Sequence, residues 1–348
     1  MDNQARLQAF QSQSRSIEPA VSGDELLGPL KYLPGVWKNT GTTEAAGWNC
    51  IALPFKTDPP PAGFNYRLLV NQYNETLNFE TVNKAVPNRG LTFNPDGSVD
   101  EADQLIVTLN YVQTITQVDA DDFPKSGKAG GAGDGIHHEP GLFLNMSNFT
   151  TNEVDVARLG SVPHGDSLLV LGKSAEIDGP PKAPESLGFP IGGSQDLNAA
   201  YLAPYKHFND NPFMGTVKMP GFPGFNPIHP SALLDTARPG NVVKTTVLPM
   251  STDVESGGIH NIPFIVKQAN AIDMMSTFWI MELDEPGLSK DEPKLVLQYY
   301  QAILLDFFPR ADGLPGRVRW PHVSINTMEK VALPDSAQAK EDVYAPAS

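Results

Sequence analysis

Leu105-Ile-Val-Thr-Leu-Asn-Tyr-Val-Gln-Thr-Ile-Thr116 places Leu105, Val107, Leu109, Tyr111, Gln113 and Ile115 at one parity, with Thr108, Asn110, Thr114 and Thr116 at the other. Successive side chains of a strand point to opposite faces, so this stretch reads as a strand with one largely apolar face. Similar runs recur at 47–55, 154–164, 167–172, 271–282, 294–308 and 318–328. Segments 64–71 and 75–82 also alternate, and the polar residues between them predict a hairpin. One helical pattern stands against these strands: Leu26, Leu27, Leu30 and Leu33 follow the capping-box sequence Ser22-Gly-Asp-Glu25. The expected fold is therefore all-β, a closed antiparallel meander β-barrel of about ten strands with a short N-terminal helix. Closure removes the exposed edges of such a sheet, and barrels of this size hold one small ligand.

Downstream of that strand, after a glycine-rich loop, comes Gly135-Ile-His-His-Glu-Pro-Gly-Leu-Phe143. Read as a strand, it puts His137, Glu139, Gly141 and Phe143 on one face and His138, Pro140 and Leu142 on the other. An imidazole and a carboxylate then stand side by side as a candidate acid and base, with a gap above Gly141 that a ligand could fill. The plainer alternative is a surface histidine beside a solvated carboxylate. The shared parity of Tyr111 with Gln113 and of His137 with Glu139 predicts that these four side chains meet on one side of neighbouring strands.

The formal charge of −15 over 348 residues comes with no basic block, so neither nucleic acid nor an anionic membrane is an expected partner. Cys50 is the single cysteine, the first twenty residues lack the apolar core of an export signal, and no apolar run is long enough to span a bilayer. A cytoplasmic protein is the expectation. Residues 1–21 read as a flexible arm, 22–333 as a single barrel domain, and 334–348 as a flexible tail. Within the domain, 173–263 is rich in glycine and proline and reads as a long irregular insertion. Its aromatics, among them Phe189, Tyr201, Tyr205, Phe208, Phe213 and Phe225, are expected to cover the barrel mouth or to form a homodimer contact.

The order of motifs resembles the nitrobindins and related heme-binding β-barrels of the calycin superfamily. Leu33-Pro-Gly-Val-Trp37 is similar to that family's Gly-x-Trp opening, Tyr111-Val-Gln-Thr114 to its Tyr-x-Gln-Thr strand, and His137-His-Glu-Pro-Gly141 to its His-x-Glu-x-Gly strand. Trp320-Pro-His-Val-Ser324 stands where the family's terminal strand supplies a histidine to heme iron. The resemblance implies a heme b cofactor ligated by His322, with Trp37, Tyr111, Gln113, His137 and Trp320 around it. It further implies chemistry on nitric oxide, peroxynitrite or peroxide, as a heme-dependent isomerase or a peroxidase-like activity. The glycine-rich continuation after the family's tryptophan is replaced here by Lys38-Asn-Thr-Gly-Thr-Thr-Glu44, and the 173–263 insertion has no counterpart. The alternative is a heme-free barrel that binds or isomerises a small apolar metabolite through His137 and Glu139. One residue pattern sits awkwardly with His322 as a ligand, because Val323 and Ile325 lie at the parity opposite to His322 and Ser324.

Overall fold

The computed structural model describes residues 15–59, 64–147, 154–185, 188–289, 292–310 and 314–332. Eleven strands build a barrel: β1 (Gly35–Lys38), β2 (Gly47–Pro54), β3 (Tyr66–Phe79), β4 (Gln104–Phe123), β5 (Gly135–Ser147), β6 (Val156–Val162), β7 (Asp166–Gly172), β8 (Val242–Ser251), β9 (Asn270–Pro286), β10 (Pro293–Pro309) and β11 (Arg317–Val331). From β3 to β11 each strand pairs antiparallel with the next. β11 returns to β3 through β1 at one end, with Val36 opposite Val331 and Asn78, and through β2 at the other, with Asn49 opposite Ser324 and Asn71. β1 and β2 share one position in the ring, so the closed antiparallel barrel has ten staves. The seam between β7 and β8 is thin: Leu171 meets Ser251, and the short strand Gly258–Asn261 continues the pairing along β7.

The lumen is filled at one end. Leu27, Leu30, Trp37, Phe79, Phe143 and Phe278 belong to one buried cluster there. Its stopper is the expected N-terminal helix, a 3-10 helix over Glu25–Leu30 with a kink at Gly28. Asp24 rather than Ser22 caps it, its carboxylate accepting from the Leu26 amide at 3.0 Å. Part of the expected flexible arm is also paired, since Ser16–Pro19 lies along Thr81–Lys84; residues 1–14 and the 334–348 tail lie outside the described residues.

Two expectations are corrected. The hairpin over 64–82 is the single strand β3. Its central polar side chains find partners without a turn, Asn74 Oδ1 accepting from the Ala45 amide at 2.7 Å and Gln72 Oε1 from the Thr216 amide at 2.8 Å. The 173–263 segment is not wholly an insertion, because it contains the barrel strand β8 and two short helices, α1 (Ala203–Asp210) and α2 (Ala232–Ala237). Its aromatics lie against the barrel's flank. Tyr205, Phe208, Phe213 and Phe225 share a cluster with Cys50, Val70, Val323 and Ile325, the outward side chains of β2, β3 and β11. Among the described residues, no helix is long and apolar enough to cross a membrane.

Candidate functional site

The open end of the lumen holds a cavity of about 290 Å³, near the lower end of the range for small-molecule sites, roughly 300 to 1,000 Å³. Ile51, Ile115, Ile259, Ile303 and Leu305 form much of its wall, and Ile265 enters from α3 (Pro263–Gln268) at the mouth. Polar groups are set into this surface: Gln113, His137 and Glu139 from β4 and β5, Gln301 from β10, and His322 and Ser324 from β11. The register places Gln113 opposite Glu139 and Ile115 opposite His137, so the expected convergence of these strands is realised. His164 and Asp166, at the turn from β6 to β7, complete the rim, and the His164 ring lies 6.5 Å from that of His137.

Two buried glutamates lie in different surroundings, Glu139 in the cavity lining and Glu75 behind it, bonded to Gln113 and Tyr299. Glu139 Oε1 accepts from Arg158 Nη2 at 2.8 Å and from the Tyr111 hydroxyl, while Oε2 lies 3.2 Å from His137 Nε2. Burial alone would raise its pKa, but the charge of Arg158 and the bonds from His137 and Tyr111 outweigh it and hold the group at about 2. Arg158 also donates from Nε to the Tyr111 oxygen at 2.9 Å and from Nη1 to Gln301 Oε1 at 2.8 Å. The rings of Tyr111, Phe143 and Phe278 surround its guanidinium within 6 Å. Glu75 has no such cation among the described residues. It accepts from Tyr299 at 2.6 Å, Asn326 at 2.9 Å and Gln113 at 2.7 Å, and burial, against these bonds, raises its pKa.

Glycines make room for this packing. A Cβ on Gly160 would lie 2.3 Å from Glu139 Oε1, and one on Gly141 would lie 2.6 Å from the Tyr111 ring. The gap anticipated above Gly141 is thus occupied by Tyr111, which lies beneath the cavity rather than in its wall.

His322 faces the cavity from β11, level with Ile303. Its side chain is partly buried. Burial, reinforced by His137 and His164, lowers its pKa to about 3, so the imidazole is neutral at pH 7. It makes no side-chain hydrogen bond to a described residue. The opposed parity of Val323 and Ile325 follows from the flanking cluster, which covers those two residues from outside. The two tryptophans expected near a cofactor lie elsewhere. Trp320 is buried against Tyr66, Tyr205 and Phe307, with ring centroids 4.4, 6.4 and 5.6 Å away. Trp37 is in the apolar plug, its indole donating to the Leu33 carbonyl at 2.9 Å.

Arg158, Glu75, Gln301, Ser324 and Tyr299 complete the site, and none of them stands out in the sequence as a site residue. Arg158 carried a usable signal, a single charge inside the apolar run Val156-Ala-Arg-Leu159, because a charge on a buried strand needs a partner. For heme, the donor set fits at the iron and the ring: a neutral imidazole on one wall and aliphatic side chains around it. Among the described residues, no Lys or Arg lines the cavity to meet the propionates. Among the described residues there is no group of three or more His, Cys, Asp or Glu side chains arranged to hold a metal ion by themselves. In comparisons with known proteins, no family model and no curated sequence matches this chain.

Proposed function

We propose that this barrel binds a small, largely apolar ligand in its open half, and that the ligand is heme held through His322. The observation that carries the reading is the imidazole of His322, kept neutral by burial, turned into an apolar cavity and engaged by no other described side chain. When bound, heme would supply ferric-iron chemistry toward nitric oxide, peroxynitrite or peroxide. The protein's own residues would shield it from water through Ile51, Ile303 and Leu305 and place a polar floor beneath it, with His137 held by Glu139. The test is an absorption titration with hemin. A Soret shift is expected for the parent and its loss for His322→Leu, with His137→Leu having the smaller effect. Unchanged hemin binding by both variants would place ligation elsewhere or remove heme altogether.

A second reading is favoured by the His137–Glu139–Arg158 chain. A carboxylate with a pKa near 2 is too weak a base to take a proton at neutral pH, so Glu139 orients the ring and His137 moves the proton. That arrangement suits acid–base chemistry, such as isomerisation, on a small organic metabolite. Loss of turnover in His137→Gln with ligand affinity retained would support it.

A further inference from the structure

We infer that the β10–β11 wall of the cavity hydrogen-bonds a neutral acceptor oxygen of an otherwise apolar organic ligand, a carbonyl or nitro oxygen, through Gln301 Nε2 and Ser324 Oγ. The inference rests on the organic-ligand reading of the cavity. Gln301 and Ser324 are direct cross-strand partners, and both border the open space. The two ends of an amide look alike, and only the surrounding bonds tell oxygen from nitrogen. Here Arg158 decides the matter. Its Nη1 stands 2.8 Å from Gln301 Oε1, and a guanidinium can only donate. The oxygen of Gln301 must therefore face Arg158, leaving the NH₂ on the other side. Arg158 is in turn fixed by Glu139 and Tyr111, so the orientation of Gln301 is built in. Neither Gln301 Nε2 nor Ser324 Oγ bonds to any described residue, so two neighbouring donors are available to whatever enters.

The same surroundings set the charge of that oxygen. Arg158 is already neutralised by Glu139, and no described Lys or Arg lines the cavity. A carboxylate would enter without a counter-ion and close to a second buried carboxylate, at a large desolvation cost. A neutral carbonyl meets the donors without that cost. A hydrocarbon of the same outline would leave them desolvated and unpaired, which is how a site built around a polar group rejects the analogue lacking it.

The probes are 2-acetylnaphthalene, 2-isopropylnaphthalene and 2-naphthoate, titrated against the full chain at pH 7 and followed by naphthalene fluorescence. The ketone should bind roughly tenfold more tightly than the hydrocarbon, with the carboxylate weakest, and its carbonyl stretch should move to lower frequency when bound. Gln301→Glu keeps an acceptor for Arg158 but offers no N–H, and should abolish the ketone's advantage. Ser324→Ala, which leaves the Arg158 network untouched, should reduce that advantage several-fold and decides the matter if Gln301→Glu does not fold. Equal binding of ketone and hydrocarbon by the parent would overturn the donor pair while leaving the organic-ligand reading standing. So would a ketone preference that survives Ser324→Ala unchanged. Binding of none of the three would overturn that reading and the donor pair together.

Discussion

The two sides of this barrel invert each other's polarity. On the β4–β5 side the inward positions are largely apolar, with Val107, Leu109 and Phe143 fully buried, whereas Thr114, Thr116 and His138 are exposed on the outside. On the β2–β11 side the outward positions Cys50, Val323 and Ile325 are apolar and buried, and the cavity face carries the polar Asn49, His322 and Ser324 beside Ile51 and Leu53. The difference lies in what covers each outer face: solvent on the first, and the aromatic segment around α1 and α2 on the second. Alternation in a strand therefore reports which face is covered by protein. It does not by itself report which face is inside the barrel.

The strongest way to break this comparison is to weaken the cover. Phe225, fully buried yet outside every barrel strand, should cost about 3–5 kcal/mol when replaced by alanine. The loss should appear as one shifted denaturant transition for the whole protein. A separate early transition, with barrel stability unchanged, would show the cover to be an independent cap. A smaller effect is expected from inside the ring. Gly160→Ala forces a methyl against the Glu139 carboxylate and should cost about 1–3 kcal/mol. A cost below about 0.5 kcal/mol in the same melt would mean the floor yields easily.

The polar face of the covered wall has a pH signature. His322 has its folded pKa depressed from 6.5 to about 3, so the unfolded chain takes up a proton in a window where the folded chain does not. Its contribution to stability is present above pH 6.5 and is lost as pH falls toward 3. Between pH 6 and 5 the parent should lose about 1 kcal/mol more than His322→Leu. Parallel stability curves for the two proteins would remove His322 from the dry wall. Smallest of all, His138→Ala, on the solvent side of the opposite wall, should change stability by less than about 0.5 kcal/mol. A larger loss would mean that side is covered too.

Much of the barrel was legible because long strands with one solvated face alternate cleanly, as β4 does. β3 reads as a hairpin in sequence because Gln72, Tyr73 and Asn74 look like a turn. Their partners, near Ala45 and Thr216, are distant in sequence, and only the fold brings them close. β8 was lost inside a long segment whose overall glycine and proline content masked one ten-residue run, Val242-Val-Lys-Thr-Thr-Val-Leu-Pro-Met-Ser251. In the site, His137, Glu139 and Gln113 were accessible through parity alone. Trp320 shares the parity of His322 and still packs away from the cavity, because Tyr66, Tyr205 and Phe307 gather around it. Gln301 had no local signal, since its orientation is set by an arginine contributed by a strand far away in sequence.

The ring closes where Cys50 lies beside Val323, which has a consequence for how the chain is made. At about 5–20 residues per second, a ribosome needs on the order of tens of seconds to travel from β2 to β11. Through that interval the edge of β2 is a row of unpaired backbone groups, open to any other extended chain. The aromatics around α1 and α2 emerge before β10 and β11 do, when only the β2–β3 part of their wall exists. Cooler growth or raised holdase levels should therefore increase the soluble yield of this protein more than that of a barrel whose closing strands are neighbours in sequence.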